Sequence, residues 1–151
     1  MTGIIETGGA NLLIFWLNQG SKKLDVVRAR IKTLRGYAAH PPYQRSMKSV
    51  IESLENFEKI EYHSCTAQTL QVITETTCQY VLEVLRDLLG KYTAPKNNLF
   101  NFISVSVITI RMALEVITNI GYHAKTDVYY CKKYQDSFRD VLSTLVAASV
   151  D

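Results

Sequence analysis

The chain has 151 residues and a net charge of +3, with 47% hydrophobic and 21% charged residues. A chain of this length fits one domain that buries about 68–70% of its unfolded surface, and the composition is too apolar for a disordered protein. The small positive charge argues against a dedicated nucleic-acid-binding domain, which concentrates many more basic residues on one face. We therefore expect residues 1–151 to form a single helical domain.

Three cysteines, Cys65, Cys78 and Cys131, follow no spacing typical of disulfide frameworks or zinc sites, and their usage fits a reduced compartment. The N-terminus lacks the basic region and long apolar core of a secretory signal. Arg111 interrupts the segment that comes nearest to a membrane span. The sequence thus favours a cytoplasmic protein, with a nuclear or membrane-associated location as the alternative. The Tyr and Asn content suggests a eukaryote or one of its viruses, and hence a viral or host-interaction protein.

Residues 1–9 contain two consecutive glycines, which predicts a flexible N-terminus. A short helix is expected over Ala10–Asn18, with Gly20 behind it as a helix-ending residue. Ser21 is then expected to cap a second helix that ends at Gly36. The apolar residues of this second helix share one side: Leu24, Val27, Ile31 and Leu34.

Two consecutive prolines make the stretch His40–Gln44 a connection. A third helix then runs to about Tyr62 and places its apolar residues on one side: Met47, Val50, Ile51, Leu54 and Phe57. Ser64 or Thr66 is expected to cap a longer helix, whose apolar positions stay in phase until Gly90. The proline-containing stretch that follows predicts the next turn.

The segment Asn98–Ile120 is the most apolar part of the chain, and Arg111 and Glu115 are its only charged residues. Several residues are β-branched, but the length of the segment and the lack of a hairpin turn favour a helix over buried strands. Burying each large apolar side chain contributes about 1.5–3 kcal/mol, so this helix is expected to lie at the centre of the fold. An aspartate at Ile108 should then unfold the protein.

Gly121 is expected to close the central helix, and Thr126 or Asp127 to cap the last one. The last helix presents the following apolar residues: Val128, Cys131, Phe138, Val141, Leu142, Leu145 and Val146. The segments together predict an all-α fold, a compact bundle of five to six helices with a central hydrophobic helix.

Two stretches are candidates for binding a partner. Four of the nine tyrosines lie among lysines near the last turn, a pattern typical of protein interfaces and of single-stranded nucleic acid sites, although a buried ring with a wet hydroxyl would also explain it. Near the N-terminus, consecutive apolar residues cannot all pack against one neighbour. The predicted partner-binding residues are Leu12, Phe15, Trp16, Tyr122, Tyr129, Tyr130, Lys132 and Lys133.

At most one of the adjacent residues Tyr129 and Tyr130 can face the core, so at least one should be exposed. Replacing Tyr130 by alanine is expected to leave the fold intact.

Six basic residues between Ser21 and Arg35 are candidates for anion binding: Lys22, Lys23, Arg28, Arg30, Lys32 and Arg35. A helical projection places Lys23 and Arg30 on one edge of the apolar stripe and most of the others on the opposite edge. The following helix carries four glutamates: Glu52, Glu55, Glu58 and Glu61. We therefore favour an antiparallel pair of helices with complementary edges over a phosphate-binding surface.

The sequence contains no nucleophile elbow, phosphate-binding glycine loop or paired Glu-x-x-His motif. The pair His63 and Cys65 lies in one short stretch, but an activated thiol also needs a third, orienting group. We therefore expect no catalytic residues, no cofactor, no metal and no small-molecule substrate.

These features favour a non-enzymatic protein-interaction or adaptor module that self-associates or binds a partner helix. The layout, with a hydrophobic helix inside amphipathic ones, resembles that of helical cell-death regulators, although their Asn-Trp-Gly-Arg stretch is absent. That resemblance implies a bundle that acts at membranes, which is the alternative function. A third alternative is an RNA-binding bundle that uses the basic helix.

Overall fold

The structure is a computed structural model that describes residues 10–39, 41–60, 65–123 and 125–150, with the side chains of residues 10–22 and 123 left aside. The helices are α1 (Ala10–Tyr37), α2 (Gln44–Leu54), α3 (Asn56–Lys59), α4 (Ala67–Lys91), α5 (Asn98–His123) and α6 (Tyr129–Ala148). Within the described ranges no residue lies in a strand. The all-α bundle with a central apolar helix is therefore confirmed. Residues 1–9, expected to be flexible, lie outside the described residues.

Helix α1 is continuous, so the prediction of two helices separated at Gly20 was wrong. A glycine inside a helix costs about 1 kcal/mol relative to alanine, and packing along a neighbouring helix can outweigh that cost. That neighbour is α5. Lys23 Nζ lies 2.8 Å from Glu115 Oε1 near one end, and Asn98 Nδ2 donates to the carbonyl oxygen of Tyr37 at 2.9 Å near the other. The two helices are therefore antiparallel.

The expected pairing of α1 with α2 is present but secondary, because α1 packs mainly on α5. Arg35 Nη2 lies 2.7 Å from Glu55 Oε2, which is one contact between the predicted complementary edges. Helix α2 ends at Leu54 and the single turn of α3 follows, so the expected helix to Tyr62 is divided. Tyr62 itself lies outside the described residues.

Side-chain caps mark the starts of α4 and α5. The Thr66 hydroxyl accepts the backbone N–H of Thr69 at 3.0 Å before α4, which confirms one of the two expected caps, while Ser64 lies outside the described residues. Before α5, Asn97 Oδ1 accepts the N–H groups of Leu99 and Phe100 at 3.0 and 3.2 Å. Such caps satisfy backbone donors that the first helical turn leaves without partners.

Helix α5 lies at the centre of an incomplete ring. It packs against α1, α2, α4 and α6, and the neighbouring pairs in the ring are α1 with α2, α2 with α4, and α4 with α6. Among the described residues, α6 and α1 make no comparable contact with each other. The ring around α5 is therefore open on the side between α1 and α6.

The core is formed where the surrounding helices meet α5. Phe102 of α5 is fully buried, as are Phe57 of α3 and Phe138 of α6. Val107 and Leu114 are also fully buried, whereas Ile108 remains 37% exposed. The expectation that Ile108 is a core residue was wrong, because Ile108 points to the open side of the ring.

Helix α5 also bears on the membrane question. By length and mean hydropathy, Asn98–Tyr122 would suffice to cross a bilayer in spite of Arg111, contrary to the sequence expectation. More than half of its most apolar stretch, 56%, is buried inside the bundle, and the core helix of a soluble protein passes the same test. We interpret α5 as the core helix of this bundle.

Candidate interaction surface

The open side of α5 forms a mixed apolar and charged surface together with the adjoining edge of α1. We call it the open face, and its residues are Val26, Arg30, Ile108, Arg111, Met112 and Glu115. Val26 is 39% exposed and Ile108 is 37% exposed, and both are large aliphatic side chains without full cover. Met112 is half-buried beside them and packs against the core.

The ion pair between Lys23 and Glu115 fixes how α1 and α5 align on this face. Arg30 follows Lys23 by seven residues and therefore lies on nearly the same side of α1. Ile108 precedes Glu115 by seven residues and lies on nearly the same side of α5. Because the helices are antiparallel, this register places Arg30 next to Ile108, with Val26 and Met112 between them and the ion pair.

Two arginines border the apolar centre of the open face. Arg30 and Arg111 are both half-buried, and the Nε of each is buried without a hydrogen-bond partner. Neither guanidinium forms an ion pair with another described residue, in contrast to Lys23, Arg28 and Arg35. An N–H group buried without an acceptor costs about 1–3 kcal/mol. The open face thus carries two cations with unused donors.

The predicted tyrosine-rich surface is present at one end of the bundle, where α5 turns into α6. Tyr122 and Tyr129 are 74% and 71% exposed, and the basic side chains Lys125, Lys132 and Lys133 are exposed around them. These five residues are named the tyrosine turn. Tyr122 follows Ile108 by fourteen residues, so the open face leads along α5 into this turn.

Local backbone interactions hold the tyrosine turn in place. Lys125 adopts the left-handed conformation with φ of 56°, and its N–H donates to the carbonyl of Tyr122 at 3.1 Å. Asp127 Oδ1 accepts the N–H of Tyr129 at 2.9 Å, but the N-cap residue of α6 is Val128, so the prediction of Thr126 or Asp127 as the cap was wrong by one or two residues. Thr126 instead donates its backbone N–H to the carbonyl of Gly121 at 2.8 Å.

Gly121 was expected to close the central helix but lies inside α5, which continues to His123; a Cβ at Gly121 would overlap the Cγ1 of Val128. We expect Gly121→Ala to lower the free energy of unfolding by about 1–3 kcal/mol, the usual cost of overpacking. Gly90→Ala is the control, since nothing lies within 4 Å of its Cβ position and alanine favours a helix by about 0.5–1 kcal/mol. Urea unfolding of both variants tests this, and equal stabilities would contradict the packing of α5 against Val128.

The structure corrects the role of Tyr130. At least one of the adjacent tyrosines is exposed, as predicted, but that residue is Tyr129, whereas Tyr130 is only 8% exposed. Burial raises the pKa of Tyr130, whose hydroxyl interacts with Cys131 and faces the Thr74 hydroxyl without a well-formed hydrogen bond. Tyr130 therefore belongs to the interface of α4 and α6, and we no longer expect its replacement by alanine to be neutral.

The remaining predicted partner-binding residues divide into two groups. Lys132 and Lys133 are exposed, and Lys133 Nζ lies 5.7 Å from the centre of the Tyr134 ring. Three others lie on the helical backbone of α1, but their side chains are outside the described residues: Leu12, Phe15 and Trp16. Because α1 is antiparallel to α5, its N-terminal turns lie toward the tyrosine turn.

The basic residues of α1 do not form one anion-binding cluster. Arg28 Nη1 lies 2.7 Å from Asp25 Oδ1, so three of the six predicted residues are paired with carboxylates, the other two pairs being those of Lys23 and Arg35. Lys32 is exposed, Arg30 faces the open side of α5, and the side chain of Lys22 lies outside the described residues. Lys23 contacts Glu115 of α5, and Arg35 contacts Glu55 directly after α2, so these two residues lie on different edges of α1.

The cysteines are packed as neutral thiols. All three are free, and burial raises the pKa of Cys65, Cys78 and Cys131, the last to about 11. A nucleophilic thiol needs the opposite shift, because the thiolate is the reactive form. His63 lies outside the described residues. No group of three or more metal-ligating side chains occurs in the part of the chain that the structure describes.

Sequence reasoning missed the open face, although the polar residues of α5 contain a signal for it. Asn101, Arg111, Glu115 and Asn119 fall within a narrow arc that also contains Ile108. Because these polar residues share one side of α5, their pattern predicts the side on which this mainly apolar helix meets solvent.

Comparison with known proteins gave no matching family model, no matching curated protein and no matching solved structure.

Proposed function

We propose that the protein is a non-enzymatic interaction module that binds a helix, supplied by another protein or by a second copy, along the open face of α5. The observation that supports this proposal most is the open ring around the most apolar helix. Ile108 and Val26 remain more than a third exposed there, although the residue next to each, Val107 and Val27, is buried in the core. A helix laid between α1 and α6 would complete the ring and cover both side chains.

Helix-in-groove binding suits the shape and chemistry of this surface. An amphipathic helix places apolar residues every three or four positions, and such residues can pack on Val26, Ile108 and Met112. Charged groups around an apolar centre fix orientation and register more than affinity. The open face has this arrangement, with Arg30, Arg111 and Glu115 around the aliphatic residues.

The proposal is tested with a fluorescent amphipathic peptide that carries leucines on one side and glutamines elsewhere. We expect the wild-type protein to bind it, and Ile108→Asp to abolish binding because a carboxylate would enter the apolar contact. Val72→Asp is the matched control, since Val72 is 56% exposed on α4, away from the open face. Light scattering on the same three proteins tests whether a second copy occupies the face.

Equal peptide binding by the wild-type protein and Ile108→Asp would contradict the proposal. A wild-type chain that remains monomeric and binds no peptide would do so as well.

Membrane action is the second candidate, and the tyrosine turn supports it. Exposed tyrosines beside lysines suit the boundary between lipid headgroups and acyl chains, where aromatic rings are enriched and lysines attract anionic lipids. The apolar N-terminal sequence of α1 belongs to a backbone that runs toward the same end. We expect co-sedimentation with phosphatidylserine vesicles if this candidate is right, and its loss in Tyr122→Ser/Tyr129→Ser. Wild-type protein that stays in the supernatant would exclude it.

A further inference from the structure

We infer that the occupant of the open face is an acidic amphipathic helix, whose carboxylates pair with Arg30 and Arg111 on either side of the apolar contact. The inference rests on the proposed function, because it names the chemistry of the helix that the open face binds. Three observations carry it: the unused donors of the two arginines, the charge of the surface, and the geometry of a guanidinium.

The two arginines of the open face have N–H groups without acceptors. The Nε of Arg30 and of Arg111 is buried at the edge of an exposed apolar surface and has no acceptor. A guanidinium presents its N–H groups in a planar fork that a carboxylate fills with two parallel hydrogen bonds. Both arginines are only half-buried and have no carboxylate partner among the described residues, so a carboxylate that approaches from the open side can pair with either guanidinium.

The charge of the surface distinguishes an acidic helix from a second copy. The open face contributes two unpaired arginines, and its only carboxylate, Glu115, already lies 2.8 Å from Lys23 Nζ. Two copies joined through this face would bring like charges together without new carboxylates, and like-charge juxtaposition opposes association. A helix with glutamates or aspartates beside its apolar stripe would be complementary instead.

The test uses three fluorescent peptides that share one leucine stripe and differ only in the flanking residues, which are Glu, Gln or Lys. We expect the wild-type protein to bind the Glu peptide at least about ten-fold more tightly than the Gln peptide, and the Lys peptide most weakly. The double variant Arg30→Glu/Arg111→Glu is expected to reverse this order. Fluorescence anisotropy gives the affinities, and circular dichroism verifies that each variant is folded.

The control variant has the same net charge change at other sites. Arg28 and Arg86 are exposed arginines away from the open face, because Arg28 pairs with Asp25 on its own helix and Arg86 lies on α4, which does not border the open side of the ring. Arg28→Glu/Arg86→Glu is therefore expected to keep the wild-type order of affinities. If this control reversed the order as well, overall charge would explain the preference and the inference would fall.

Other results separate the inference from the proposed function. If all three peptides bound equally and Ile108→Asp abolished their binding, the open face would bind helices without charge selection, so only the inference would fail. If no peptide bound but the chain dimerised in an Ile108-dependent manner, the occupant would be a second copy and again only the inference would fail. If the chain bound no peptide and stayed monomeric, both would fail.

Discussion

Replacing Val107 by aspartate is expected to unfold the protein, whereas the same replacement at the next residue, Ile108, should leave it folded. Val107 is fully buried inside the ring of helices and Ile108 is 37% exposed on the open face. An aspartate at Val107 removes about 1.5–3 kcal/mol of apolar burial and also places a carboxylate in the core. A buried, unpaired charge costs several kcal/mol more, which together approaches the whole stability of a small domain.

Ile108 differs because its side chain reaches water. An aspartate there can remain hydrated, and the adjacent Arg30 and Arg111 favour its ionised form, so we expect a loss of at most about 1–2 kcal/mol. Circular dichroism and urea unfolding of the two variants provide the measurement. If Ile108→Asp unfolded and Val107→Asp melted normally, α5 would be rotated relative to this structure, and the open face would not exist.

Val107 and Ile108 also show which part of the fold the sequence could not predict. Hydrophobic periodicity placed the amphipathic helices correctly, since Val27, Ile31 and Leu34 are all buried as predicted. In α5, almost every position is apolar, so hydrophobic periodicity could not predict which side of the helix is buried. Which side of α5 is buried depends on the helices that pack against it, and those contacts join residues that lie far apart in the sequence.

The continuity of α1 is a second feature of the fold that the sequence did not predict. Gly20 and Ser21 carry the local pattern of a helix end followed by a helix start, and the sequence alone therefore predicts a break. The contact with α5 overrides this local preference, because an uninterrupted α1 runs along α5 from Lys23 to Tyr37. Tertiary packing commonly outweighs propensities of about 1 kcal/mol per residue.

The candidate site was predictable in part. The exposed Tyr122 and Tyr129 with their lysines were found from sequence, because such rings among basic residues are difficult to place in a core. The choice between Tyr129 and Tyr130 was not, since it depends on how α6 is rotated against α4. Arg30 was identified only as a basic residue on α1, and its role on the open face depends on the register between two helices far apart in sequence.

The stability of the protein is expected to fall steeply as the pH rises above about 9. The thiols of Cys78 and Cys131 and the hydroxyl of Tyr130 lie between α4 and α6 and are buried. Burial raises the pKa of Cys78 above its ordinary value of 9.0 and that of Cys131 to about 11, and it raises the pKa of Tyr130 as well. These groups therefore keep their protons in the folded state at a pH where the unfolded chain has lost them.

Folding stability falls as the pH rises because the folded state then holds more protons than the unfolded state. Below about pH 9 both states hold the thiol protons, so the full stability is present. Above that pH the unfolded state ionises first and is favoured, which removes about 1.4 kcal/mol per pH unit for each such group until its folded-state pKa is reached. For Cys131 this window extends from 9.0 to about 11.

Urea unfolding at about pH 8 and about pH 10.5 measures the loss, and matched variants assign it to the interface of α4 and α6. Tyr130→Phe and Cys78→Ala/Cys131→Ala should each reduce the difference between the two pH values, whatever they do to the stability at neutral pH. Tyr129→Phe should leave the difference unchanged, because Tyr129 is 71% exposed. A wild-type protein that is equally stable at both pH values would show that water reaches these groups, and that α6 packs less closely on α4 than the structure describes.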